Sequence, residues 1–170
     1  MTRLSALRDI FPHGEYHGQS AGVYLSEPVA GETTLVLSVL HLENNVLSGQ
    51  FDTRIPLNGT RENTTDVLTQ RVKAAGLDVV CDYRAPHHVP AETPLVQELM
   101  RCYEIYTGHR AESLAMGGST YVHHVPGGVA FGCLMPDAED RMHAADEYTN
   151  LDDLILSAQM FAQAIADLCE

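Results

Sequence analysis

The residues best suited to chemistry lie in Met142-His143-Ala144-Ala145-Asp146-Glu147-Tyr148, where one imidazole stands beside carboxylates just ahead of a long amphipathic stretch, Asn150 to Cys169. A neutral imidazole nitrogen is a good zinc ligand, and neighbouring acids can orient the ring or offset an ion's charge. One histidine does not make a site. Taken alone, His143 among Asp137, Glu139, Asp140, Asp146 and Glu147 reads as a solvated loop histidine. The pairs His87-His88 and His123-His124 also invite a metal reading, but adjacent residues point in different directions on regular backbone, which sets them aside as ligands.

The elements that would position such residues can be read from periodicity. Two apolar runs, Thr34 to Leu40 and Val46 to Ile55, are joined by a polar stretch and predict paired strands. Alternation in the second run puts Ser48, Gln50, Asp52 and Arg54 on one face, so Arg54 projects from the polar side of a sheet. Asn63 with Asp66 predicts a helix start and Gly76 its end, after which Leu77 to Tyr83 reads as a strand. Thr93 as cap and Pro94 in the first turn open a second helix, with Leu95, Leu99, Tyr103 and Tyr106 on one face and Gly108 as its stop. Gly117 and Gly118 mark a turn. The nearly all-apolar Gly128 to Met135 suits a strand buried on both faces, as in the middle of an α/β sheet. The last helix takes Asn150 as its cap and predicts a core stripe of Leu154, Ile155, Ala158, Phe161, Ala162, Ile165 and Leu168.

Composition narrows the classes. The formal net charge of −13, with only Lys73 and nine arginines as fixed cations, argues against nucleic-acid or anionic-lipid partners, both of which need clustered positive charge. No apolar run approaches the roughly 18 residues needed to span a bilayer, and the first residues lack a signal-peptide core. A soluble cytoplasmic protein is expected. The widely spaced Cys81, Cys102, Cys133 and Cys169 sit in apolar patterns and read as buried thiols. The proline-bearing loop at 84–92 is the expected boundary between residues 1–87, an α+β lobe, and 88–170, a second α/β piece.

Taken in order, Phe51-Asp52-Thr53-Arg54-Ile55-Pro56, Pro94-Leu95-Val96-Gln97, Tyr103-Glu104, Ala115-Met116-Gly117-Gly118-Ser119-Thr120-Tyr121, Gly127 to Gly132 and His143 to Tyr148 resemble a family of zinc-dependent exopeptidases. That family includes aminoacylases, glutamate carboxypeptidases and dipeptidases, the PepV type being nearest in pattern. The resemblance covers nearly the whole chain. It implies half of an α+β lid lobe, of the kind that also serves dimerisation, followed by the C-terminal strand and helix of an α/β catalytic domain. It further implies that His143 closes the coordination of one of two zinc ions. Arg54 would grip the free carboxylate of a dipeptide or N-acyl amino acid, a task suited to a planar guanidinium that donates two parallel hydrogen bonds. Gly117 and Gly118 would let backbone approach the substrate closely.

The same resemblance shows what these residues do not supply. A dinuclear amide hydrolase needs further histidine and acid ligands, a bridging carboxylate and a carboxylate base. The family draws most of these from an N-terminal half with a His-x-Asp motif and a Glu-Glu pair, and neither occurs here. The expectation is a C-terminal portion that is inactive alone and that forms a homo-oligomer or associates with an N-terminal half. Two other readings compete: a non-enzymatic oligomerisation or interaction module that keeps the lid fold, and a mononuclear metal binder built from the nine histidines.

Overall fold

The computed structural model describes residues 3–118, 120–132 and 135–169. It divides into two compact units. The first comprises Met1–His88 with Ala115–Gly118, and the second Val89–Leu114 with Ser119–Glu170. The described elements are mixed α and β, with small antiparallel sheets only.

The first unit opens with α1 (Arg3–Ile10), followed by the two-residue strands β1 (Ser26–Glu27) and β2 (Gly31–Glu32). Its main sheet is an antiparallel hairpin of β3 (Thr34–Glu43) and β4 (Val46–Arg54). Asn44 and Asn45 form the connection with φ of 49° and 63°, the left-handed pair that a two-residue hairpin turn requires and that asparagine tolerates. Ladder pairing therefore runs up to the turn, taking in His41 to Glu43, which the sequence reading assigned to the connection.

A register shift between Leu37 and Val39 leaves Ser38 as an extra residue. Without it, strict alternation would send Leu40 and Leu42 to the opposite face from Leu35 and Leu37. With it, all four leucines share a face with Phe51 and Leu47, and Val36, Val39 and His41 share the other with Asp52, Gln50 and Ser48. The leucine face meets α1 and α2 (Thr65–Ala74) over a core of Ile10, Ala21, Val23, Leu35, Leu68 and Val72. The rings of Phe11 and Phe51 lie 5.8 Å apart at its margin.

Helix α2 begins at Thr65, and Asn63 does not cap it: its side chain accepts from the Thr60 amide at 2.7 Å, closing the preceding turn. Leu77 to Tyr83 is not a strand. Burial alternates along it, and Leu77 and Val79 reach the core, but no strand edge faces its backbone in a ladder. Side chains hold it instead. The Tyr83 hydroxyl donates to the Gly59 carbonyl at 3.1 Å, and the Thr69 hydroxyl to the Cys81 sulfur at 3.4 Å.

The second unit is an antiparallel pair, α3 (Pro94–Thr107) and α4 (Leu151–Leu168), with a short 3-10 turn at Tyr121–His124. Thr93 and Pro94 start α3, and Gly108 ends it with φ of 70°. Asn150 caps α4 by accepting from the Asp152 amide at 3.0 Å. The buried face of α4 is Ser157, Met160 and Ala164, not the expected stripe, whose members Leu154, Ile155, Ala158, Phe161, Ala162, Ile165 and Leu168 are exposed. Polar groups fix the choice. Arg101 of α3 pairs with Asp167, and the Tyr106 hydroxyl donates to Gln163 at 3.2 Å, so α3 lies on the side of α4 that carries its hydrogen-bonding groups.

The buried strand expected over Gly128 to Met135 is not formed at 128–132 or at Met135; Cys133 and Leu134 lie outside the described residues. A strand buried on both faces needs ladder partners on both sides, and the second unit offers none among the described residues. The α+β part of the expected fold thus stands, and an α/β sheet is not present among these residues. Of the cysteines, Cys102 is buried, Cys81 is half-buried and Cys169 is exposed, since it lies beyond the last turn of α4. No helix among the described residues is long and apolar enough to cross a membrane.

Leu68, 2% exposed, is the deepest large side chain of the first unit's core. Leu68→Ala should cost about 2–5 kcal/mol in urea denaturation, and a loss under about 1 kcal/mol would show that the site collapses around the cavity. In the second unit Glu98 ionises more readily than an ordinary carboxyl of 4.5, chiefly through its hydrogen bond from Arg101. A carboxyl easier to ionise when folded stabilises above its unfolded value and loses that contribution as pH falls through its folded value. The melting temperature should therefore fall as the solution is acidified below about pH 5. Arg101→Gln should flatten this acid limb, and an acid limb as steep as in the parent chain would contradict the assignment.

Candidate functional site

Arg54 is the last residue of β4, paired across the ladder with Thr34 on the exposed face. The acid nearest along that face, Asp52, is already engaged by the Ser38 hydroxyl at 3.0 Å. Among the described residues the Arg54 guanidinium makes no hydrogen bond or ion pair, although the chain carries 23 acidic side chains. An unpaired guanidinium in so acidic a chain keeps its whole donor fork available to a ligand.

The bend at Gly117 comes beside it. A β-carbon built on Gly117 would stand 3.9 Å from Cγ of Arg54, and one on Gly118 would meet only the Met116 side chain at 3.6 Å. Neither glycine is in the left-handed region, so their conformations do not demand glycine. What their small size provides is uncluttered backbone: among the described residues neither amide makes a hydrogen bond. Among the described residues the first unit therefore sets the stem of an unpaired arginine beside a bend whose amides make no hydrogen bond, and a guanidinium and free amides are groups that can receive a carboxylate.

His143 belongs to the second unit and is exposed. Its φ of 64°, like the 56° of Asp146, is left-handed, a conformation that costs a non-glycine residue about 1–3 kcal/mol and is retained where surrounding structure imposes it. Here that structure is local. The Ala144 amide donates to the Arg141 carbonyl at 3.0 Å, the Met142 amide to Asp140 at 3.0 Å, and Arg141 pairs with Glu139 at 3.1 Å while its guanidinium lies 5.3 Å from the Tyr148 ring centre. These contacts clamp the loop on both sides of the imidazole. A neighbouring cleft of about 590 Å³ is lined by His109, Asp137, Glu139, Tyr148 and Asp153, among others. His109 carried no periodic or motif signal and was not singled out from the sequence.

The metal-ligating side chains do not fit a complete zinc centre, which takes three or four close donors. Among the described residues only Glu98, Cys102 and Asp167 bring three such atoms together, within 4.8 Å, and His143 is not one of them. That trio is poorly suited to an ion. Burial, and then the Glu98 carboxylate, push the Cys102 thiol up and keep it protonated, and Arg101 already neutralises both acids. Its physical role is the brace between α3 and α4.

Comparison with known proteins gives the chemistry a context. No family model matches the chain. It is 32% identical over 159 residues to "Putative dipeptidase YtjP" of Bacillus subtilis, covering 92% of this chain and 34% of that protein. It is likewise 32% identical over 160 residues to the Beta-Ala-Xaa dipeptidase of Lactobacillus delbrueckii subsp. lactis, covering 92% of this chain and 33% of that protein. Along nearly its full length, then, this chain is similar to proteins named as dipeptidases and spans about a third of theirs.

Proposed function

We propose that this chain is one portion of a metal-dependent dipeptidase or related amidohydrolase, acting on a dipeptide or an N-acyl amino acid. The observation that carries the reading is the free Arg54 guanidinium beside Gly117, in a chain similar over 92% of its length to proteins named dipeptidases. In this reading Arg54 binds the substrate's terminal carboxylate, and the amides of Gly117 and Gly118 offer further donors to the bound backbone. His143 contributes one imidazole to a centre of two zinc ions whose remaining ligands lie outside these residues. Such a centre, when bound, activates water for attack on the amide.

Residues 1–87 then act as part of a lid and 88–170 as the end of the catalytic domain. The protein works in the cytoplasm, without nucleic-acid or membrane partners. The large apolar side chains left in water, among them Leu42, Leu151 and Ile165, call for association with a second copy or with a polypeptide that completes the site. That same exposure favours, as a second reading, a non-enzymatic interaction module.

A chimera separates the two. This chain should replace the matching third of the Lactobacillus enzyme and support metal-dependent hydrolysis of a β-alanyl dipeptide, whereas the isolated chain with added zinc should show none. In the chimera Arg54→Gln should raise KM about tenfold or more, because losing a charge-assisted pair costs roughly 1.5–3 kcal/mol. His143→Ala should abolish turnover. A folded chimera indifferent to both substitutions, or substantial hydrolysis by the isolated chain, would overturn the proposal.

A further inference from the structure

Asn58 is the one asparagine of the sequence that precedes a glycine; Asn44, Asn45, Asn63 and Asn150 precede Asn45, Val46, Thr64 and Leu151. Asparagine before glycine is chemically labile. The amide nitrogen of the second residue can attack the side-chain carbonyl carbon of the first, and a glycine, with no β-carbon, leaves that nitrogen uncrowded. The fold nevertheless demands this glycine. Residues 56–59 make a tight turn closed by the Gly59 amide, which donates to the Pro56 carbonyl at 2.8 Å. A β-carbon on Gly59 would stand 2.9 Å from Cβ of Ile55 and 3.0 Å from the Pro56 oxygen, closer than the turn can admit.

The asparagine serves a different purpose. Its side-chain amide donates to the Ser26 carbonyl at 3.2 Å, tying β1 to the turn, and its backbone carbonyl accepts from the Asn63 side chain at 3.0 Å. Asn63 also accepts from the Thr60 amide at 2.7 Å, and the Tyr83 hydroxyl donates to the Gly59 carbonyl at 3.1 Å. Both groups that would react are thus engaged elsewhere: the Gly59 nitrogen directs its proton to Pro56, and the Asn58 side chain is held at Ser26. Asn58 is exposed, so water and base reach it as soon as the turn opens. Attack waits on that opening, which carries its own local free energy.

We propose that Asn58 is a site of spontaneous deamidation whose rate is set by opening of the turn at 56–59. In the open turn, base removes the Gly59 amide proton and the nitrogen bonds to Cγ of Asn58. The bond from Cγ to Nδ2 breaks and ammonia leaves, giving a cyclic imide. Water then opens the imide at either of its carbonyls, leaving aspartate or its β-linked isomer at position 58. Both products lose the donor to Ser26 and gain a carboxylate. That carboxylate arrives close to Glu27, which the Val29 amide first, and those of Ala30 and Leu57 as well, make easier to ionise than an ordinary carboxyl of 4.5. Like charges repel, so the modification unties β1 from the turn that leads into α2.

Peptide mass spectrometry of the full chain in mildly alkaline buffer, folded and in guanidinium chloride, follows the mass gained when the amide becomes a carboxyl. In denaturant position 58 should convert while Asn44, Asn45, Asn63 and Asn150 remain amides. In the folded chain conversion at 58 should be at least about tenfold slower, because only the opened turn reacts. Asn63→Ala and Tyr83→Phe, which each take hydrogen bonds from the closed turn, should raise the folded rate about two- to tenfold and leave the rate in denaturant unchanged. Asn58→Asp, which supplies one of the two products, should lower the melting temperature by about 4 °C or more. A folded chain that converts as fast as the denatured one, or no conversion at 58 in denaturant, would overturn the proposal, and this comparison needs no variant. Folded Asn63→Ala and Tyr83→Phe chains that react at the parent rate would also overturn it, as would an Asn58→Asp chain that melts with the parent.

Discussion

The constraint on which the second unit turns is that α4 carries more apolar surface than one neighbour can cover. Burial of a large aliphatic side chain is worth about 1.5–3 kcal/mol, so the exposed Leu151, Leu154, Ile155, Ile165 and Leu168 represent several kcal/mol of unrealised stabilisation. The side that α3 covers is set by polar complementarity. Arg101 pairs with Asp167 and Tyr106 with Gln163 on that side, and Met160 and Ala164 are buried beside them. The apolar segment before His143 has the same character: its sequence suits a sheet interior, no ladder forms on it among the described residues, and Phe131 sets its ring against Phe161 of α4.

The first unit answers to a different rule. A hairpin can bury one face only if its side chains keep phase, and β3 keeps phase by spending one residue at Ser38. The correction has a chemical consequence. It keeps the leucines on the core side and leaves the opposite face polar, so Arg54 emerges into solvent at the end of β4 with its nearest acid already held by Ser38. The same alternation that builds the core therefore leaves Arg54 without a hydrogen bond or ion pair among the described residues, beside the Gly117 bend.

Where a residue type forces one local geometry, the sequence was readable: Pro94 and Gly108 around α3, Asn150 before α4, and the strict alternation that exposes Arg54. Where the outcome depended on a partner, it was not. The Leu77 to Tyr83 segment has the burial pattern of a strand but no edge to bond. Gly128 to Met135 has the composition of a buried strand but, among the described residues, no layer to enter. The stripe on α4 reads from sequence as core, whereas the face that is buried is Ser157, Met160 and Ala164. Among the site residues, Arg54 and Gly117 come together in one unit, His143 is held in a left-handed turn that no composition rule signals, and His109 faces the acidic cleft without any motif to announce it.

These features describe a chain with an exposed arginine beside the Gly117 bend in one unit and an exposed imidazole in a left-handed loop in the other; the proposed function makes them pieces of one site. The central claim is that His143 is a ligand whose companions lie elsewhere. Equilibrium dialysis of the isolated chain against zinc, with His143→Ala beside it, tests this most directly. The account predicts weak binding of equal strength in both. Stoichiometric tight binding that disappears on substitution would contradict it, because it would show a complete metal site within these residues.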